Sequence, residues 1–190
     1  MEGWPEDQTS TFWRWTAFHT SYGFYDAVFS RDTDSRLSDR EKLAVTEFLY
    51  SKYDFHVVRD HPFHGVPILA GLFGGKSSIF GLLSDLLPPK VPEDFWVNVK
   101  RRIKHPDLNN VYSNDFYQVD QHWLRFNVFP KIGYRQLAHD AYFGFNRKRF
   151  RSYLPDREPG DFIGKGFDEN DRPRHPEHDL LLEKWPRKYR

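Results

Sequence analysis

Cysteine is missing from all 190 residues, which removes disulfides, thiolate metal ligands and a cysteine nucleophile from consideration. The same lack leans towards a reducing compartment, and a cytoplasmic protein is expected. Long hydrophobic runs are missing too. The longest apolar stretch, Val66 to Leu87, is broken by Pro67, glycines, Lys76, serines and Asp85, and nothing approaches the roughly 18 apolar residues of a membrane span. The opening residues, Met1-Glu2-Gly3-Trp4-Pro5-Glu6-Asp7, have neither the basic nor the apolar region of a leader peptide. Charge of one sign is scarce: 28 Lys and Arg against 27 Asp and Glu leave a net charge of +1. No field of that size draws in nucleic acid or an anionic membrane, so neither is expected as a partner.

What the chain does have is aromatic side chains. They make up 18% of it, with 18 Phe, 10 Tyr and 6 Trp, a composition suited to stacking or carbohydrate-contacting surfaces. The length fits one domain with a sizeable core. Neither an internal repeat nor a low-complexity block divides it.

A short helix is expected over Thr11 to Phe18 and a strand over Tyr25 to Ser30. Ser38-Asp39-Arg40-Glu41 is a capping box, so a helix runs from about Asp39 to Ser51 with Leu43, Ala44, Phe48 and Leu49 on its packing face. Asp54 to Arg59 has strand character, and the order strand, acidic loop, helix, strand predicts a βαβ unit. Further helices are expected at Ile79 to Leu87, in Pro92 to Lys104 and over Asp115 to Phe126, where Val119, Trp123 and Phe126 share a face. Lys131 to Leu137 reads as a strand. Asp168 to His178 reads as loop or partial disorder, and Leu180 to Trp185 as a last short helix.

The most informative segment is Ser30-Arg31-Asp32-Thr33-Asp34-Ser35-Arg36. Two carboxylates two residues apart at a strand end face the crevice where α/β proteins bind ligands. Such a pair suits Mn²⁺ or Mg²⁺, which take hard oxygen ligands and bridge to phosphate. A solvated turn is the alternative reading. Downstream come Arg59-Asp60-His61-Pro62-Phe63-His64, the glycine-rich run Gly71 to Lys76, Asp120-Gln121 and His139-Asp140.

In this ordered series, from about Trp13 to Asp171, the chain resembles GT-A fold glycosyltransferases, and more closely a glycosyltransferase-like group with an SRDxDSR motif, an RDHPxH block and a DQ pair. The resemblance implies an α/β, GT-A-like (Rossmann-like) mixed sheet flanked by helices. It implies a glycosyltransferase-like domain over residues 1–167 and a polar tail over 168–190. Such enzymes have nucleotide-binding strands before the Asp-X-Asp strand, and only about thirty residues precede Asp32 here. Part of the amino-terminal nucleotide-binding half is therefore expected to be missing, leaving a sheet edge for a homo-oligomer or a missing segment to cover.

The implied function is transfer of a sugar from a nucleotide-sugar donor to a glycan or other hydroxyl acceptor, with Mn²⁺ or Mg²⁺ as cofactor. The implied metal ligands are Asp32, Asp34 and His139. Arg31, Asp32, Arg36, Gly74 and Gly75 are the expected contacts to the bound nucleotide and metal. For the base that takes the acceptor's proton, Asp120 is the first candidate and Asp60 the second. Each assignment has a structural counterpart: a salt bridge for either arginine, a buried strand with a tight turn for the glycines, a packed imidazole for His139, and a helix cap or a pair with Arg59 or Arg125 for the two aspartates. His61 and His64 are either acceptor or phosphate contacts or loop packing. Two rival functions remain, an inert carbohydrate-binding or interaction module derived from such an enzyme, and a metal-dependent phosphoesterase using Asp32, Asp34, His61 and His139.

Overall fold

The computed structural model describes residues 24–83, 86, 121, 123–145, 151–152, 154–185 and 187. Within them the chain is mixed α/β. Five strands, β1 (Ala27–Arg31), β2 (Phe55–Arg59), β3 (Leu72–Lys76), β4 (Gln136–Asp140) and β5 (Arg151–Ser152), form one sheet in the order β1-β3-β2-β4-β5. Helix α1 (Asp39–Tyr50) joins β1 to β2, and α2 (Ser77–Leu83) continues directly from β3. A helical run winds widely over Leu124–Val128, as α3 over Phe129–Ile132 and tightly over Gly133–Arg135, and α4 (Glu177–Lys184) closes the described chain.

β3 is antiparallel to β1 and β2, whereas β4 is parallel to β2 and to β5. The expected βαβ unit is therefore split: β1 and β2 point the same way with β3 inserted between them. All the strands except β3 end at the same edge of the sheet. That edge receives the acidic turn after β1, the Asp60 to His64 segment after β2 and the start of β3.

Alternation along the strands separates two faces. Phe55, Val57, Phe73 and Ala138 meet Ile79, Leu83, Leu124, Val128 and Ile132 in the larger apolar core. Leu124, Val128 and Ile132 recur every fourth residue, as one helix stripe must. That run replaces the strand expected over Lys131 to Leu137. Pro130 is tolerated in the first turn of α3, and Gly133, at φ 47, ends the turn before β4 begins at Gln136. Phe126, expected to share a buried face with Trp123, is exposed.

On the opposite face α1 buries Ala44 and Phe48, with Arg40 and Glu41, while Leu43 and Leu49 are exposed. Ser38 caps the helix by accepting from the Glu41 N–H at 3.2 Å. The Glu41 carboxylate does not complete the box, because it pairs with Arg31 on β1. Arg40 pairs with Asp60 after β2, and Glu47 with His139 on β4. A charged stripe thus docks α1 across three parallel strands. The segment from Asp168 to His178 is folded. It reverses through Asp171, whose φ is 59, and the Asp168 carboxylate accepts from the Asn170 and Arg172 N–H groups. The helices expected at Thr11 to Phe18 and in Pro92 to Lys104 lie outside the described residues. No helix among the described residues is long and apolar enough to cross a membrane.

Candidate functional site

The acidic turn sits at the carboxyl end of β1. Ser30 donates to the Ala70 carbonyl at 2.8 Å, tying β1 to the loop before β3. Ser35 closes the turn with both its N–H (3.2 Å) and its hydroxyl (2.8 Å) on the Asp32 carbonyl. The Asp32 carboxylate lies directly over Gly71, where a Cβ would come within 2.1 Å of it. Glycine leaves that space without displacing the carboxylate. The Asp34 side chain is 37% exposed and faces Gly166 and Arg174, whose Nε is 3.5 Å away.

The carboxyl-terminal segment packs directly on this turn. Ser35 bridges Gly166, the Phe167 N–H donates to the Asp34 carbonyl at 2.8 Å, and the Arg174 N–H donates to the Gly166 carbonyl at 3.0 Å. Arg36 is half-exposed, binds the Asp171 carboxylate at 2.5 and 3.0 Å and lies over the Phe167 ring. Opposite, Gln121 accepts from the Ala70 N–H at 3.0 Å and donates to the Ile68 carbonyl. The glutamine of the Asp-Gln pair thus fixes the loop before β3, which also carries Gly71. Its neighbour Asp120 lies outside the described residues.

Several expected contacts are placed elsewhere. Arg31 turns towards α1, where it pairs with Glu41 and donates to the Ser30 and Phe73 carbonyls at 2.7 and 3.2 Å. Gly74 and Gly75 do not form a turn beside a ligand. They lie inside β3, paired with Phe29 and Val28 of β1 and with His56 and Phe55 of β2. Gly74 admits the Phe29 ring, which a Cβ there would meet at 2.3 Å.

His139 is not brought to the acidic turn. It lies on β4, three strand spacings or about 14 Å from β1, and both ring nitrogens are engaged. Nε2 meets Glu47 at 3.1 Å and Nδ1 meets His56 Nε2 at 2.8 Å. Ser152 also donates to Glu47 at 2.6 Å. The hydrogen bond from His139 holds Glu47 below its ordinary carboxylate value. Burial pushes His56 well below its ordinary value, so its ring is neutral. Metal ligands sit about 2.0–2.2 Å from an ion, and no single ion spans His139 and Asp34.

Asp60 is fully buried. Both its oxygens take the Arg40 fork at 2.7 and 3.1 Å, and one also accepts from the Ile163 N–H at 3.0 Å. Arg157 and Arg187 stand within 3.8 and 4.0 Å of it. A carboxylate so enclosed joins α1 to the carboxyl-terminal segment and has no access to an acceptor's hydroxyl. The preceding Arg59, also buried, pairs with Asp140 at 2.9 Å; burial lowers the guanidinium value and the Asp140 charge opposes the shift.

His61 and His64 are buried in an aromatic group with Phe162 and His178. His61 accepts from the Phe63 N–H through Nδ1 and meets the His178 carbonyl through Nε2, while His64 accepts from the Asp60 N–H at 3.2 Å. Burial lowers His61 and His178 and brings His64 to about 3. The structure packs both imidazoles against neighbouring rings. One further group has no counterpart among the expected sites: His175, just before α4, with Glu177 and His178 in its first turn. The His-X-Glu-His spacing is its visible signal, set in a segment expected to be loop or partial disorder.

No family model, no curated protein and no solved structure matches the chain.

Proposed function

We propose that this is a metal-dependent glycosyltransferase-like domain of the GT-A kind, acting in the cytoplasm on a nucleotide-sugar donor and a glycan or other hydroxyl acceptor. The observation that carries the reading is the position of Asp32-Thr33-Asp34 at the carboxyl end of β1, on the edge where the parallel strands end. The donor set fits the ion: Asp32 and Asp34 offer oxygen only, as Mn²⁺ and Mg²⁺ prefer, and His139 is withdrawn from the set. A bound ion there would offset the charge that a departing nucleoside diphosphate gains. Asp34, whose side chain is 37% exposed, is the direct ligand. Asp32, held against Gly71, orients the turn. Arg36 reaches donor phosphate by exchanging Asp171 for it. With Asp60 enclosed, the base role falls to Asp120, the sequence neighbour of Gln121, which holds the loop before β3.

The test is calorimetric titration with UDP and GDP, each with and without Mn²⁺, on the wild type and Asp34→Asn. Mn²⁺-dependent binding is expected, weakened by ~10-fold or more in the variant. Equal binding by the variant would remove the metal from Asp34.

A second reading, an inert glycan-binding or interaction module, has its own support in the arginines on the acidic turn. Arg174 offers Asp34 the positive charge that an ion would supply. Glycan binding that ignores both nucleotide and Mn²⁺ is the result that would favour it.

A further inference from the structure

Among the described residues, one group of three side chains has the types and closeness to hold a single ion: His175, Glu177 and His178, each with a donor atom within 4.8 Å of the other two. A tight turn assembles them. The His178 N–H donates to the His175 carbonyl at 3.0 Å and the Asp179 N–H to the Pro176 carbonyl at 3.2 Å. Pro176, at φ −61, fixes the backbone between the first histidine and the helix. The turn stacks the imidazoles of His175 and His178 at 4.9 Å and 20°, and sets His175 Nδ1 at 3.1 Å from the Glu177 carboxylate.

His178 is also held from behind. Its carbonyl meets His61 Nε2 at 3.2 Å, and its ring packs on His61 and Phe63 with centroids 5.0 Å away in both cases. One ligand is therefore anchored in the packed aromatic group before any ion arrives, which lowers the ordering cost of binding.

We propose that His175, Glu177 and His178 form a three-ligand site for a borderline divalent ion of the zinc class, with the fourth position open to solvent. Two imidazoles and a carboxylate are a donor set zinc accepts readily, whereas Mg²⁺ prefers oxygen alone. Zinc bonds of about 2.0–2.1 Å place tetrahedral donors about 3.4 Å apart. Rotations of roughly 1 Å at His175 and Glu177, both well exposed, close the difference while His178 stays in place. The site adjoins Arg174, which pairs with Gly166 and faces Asp34. An ion there fastens the far end of the segment that walls the acidic turn. Its donor set of two imidazoles and a carboxylate differs from the oxygen-only pair at Asp32 and Asp34.

The experiment is calorimetric titration of the chelator-stripped full chain with zinc chloride, on the wild type, His175→Ala, His178→Ala and Asp34→Asn, with melting curves alongside. One ion per chain is expected to bind in the presence of excess Mg²⁺, with affinity ~10-fold or more weaker in each histidine variant and unchanged in Asp34→Asn. Zinc should raise the melting temperature of the wild type and not of His175→Ala. His175 is exposed, so its removal leaves the metal-free fold intact and separates lost ligation from lost folding. Absence of one-to-one binding, or equal binding by His175→Ala, overturns the proposal. Mn²⁺-dependent nucleotide binding in His175→Ala tests the acidic turn separately.

Discussion

Gly71 and Gly74 yield space to side chains from β1 and the turn that follows it, but the two intruders differ in freedom. At Gly71 the neighbour is the Asp32 carboxylate, the tip of a polar side chain at the crevice, and at Gly74 it is the Phe29 ring. That ring is wedged against Phe48 at 5.8 Å and His56 at 6.1 Å. An added methyl at Gly71 is relieved by turning the carboxylate aside, and one at Gly74 forces apart three packed rings. Gly71→Ala should therefore weaken Mn²⁺-dependent nucleotide binding with little change in the urea midpoint. Gly74→Ala should lower stability by about 1–3 kcal/mol. Urea melts and calorimetry on the two variants decide it, and the opposite pattern would detach Asp32 from ligand binding.

Helix α1 shows how an element's face follows its partner rather than its own hydropathy. The stripe Arg40, Glu41, Ala44, Glu47 and Phe48 faces the sheet because the sheet offers Asp60, Arg31 and His139. Ser38 holds the first turn in register with those partners. Ser38→Ala is expected to cost about 1 kcal/mol, and Ser38→Asp, which restores the acceptor, to recover most of it. Thermal melts of the pair check this, and equal loss in both variants would mean the cap contributes nothing.

The helix itself was legible in Ser38 to Glu41, because a cap is encoded within four consecutive residues. Its buried face was not legible, because charge pairs such as Arg40 with Asp60 join positions far apart in sequence. The strands ending at Arg31 and Arg59 showed in their local patterns. The placement of β3 between them did not, since pairing is decided by long-range packing. The acidic turn could be read as Asp-X-Asp at a strand end. The withdrawal of His139 could not, because its partners Glu47 and His56 come from α1 and β2.

At the scale of the whole molecule, burial keeps a set of imidazoles neutral. His56 is driven well below its ordinary value and His64 from 6.5 to about 3, both mainly by desolvation. Below pH 6.5 the unfolded chain takes up protons that the folded chain refuses. This stabilisation is complete above pH 6.5 and is lost as the pH falls towards 3. For His64 alone the loss at pH 5 is about 2 kcal/mol. Urea midpoints at pH 7.5 and pH 5 should show the decline, and His64→Asn, whose amide oxygen can accept from the Asp60 N–H, should flatten it. A midpoint unchanged between the two pH values would contradict the burial of these rings.

The sheet order also governs when the fold can close. A chain emerging from the ribosome has β1, β2 and β3 once Lys76 is clear, yet β2 still lacks its other neighbour. That neighbour is β4, and it brings Asp140 to the buried Arg59 guanidinium. Until residue 140 is made, sealing β2 would strand a cation in a dry interior, a state costly enough to keep that side of the strand wet. Arg59 is thereby expected to delay compaction of the nascent chain, leaving the central strand open for a partner encoded some eighty residues downstream.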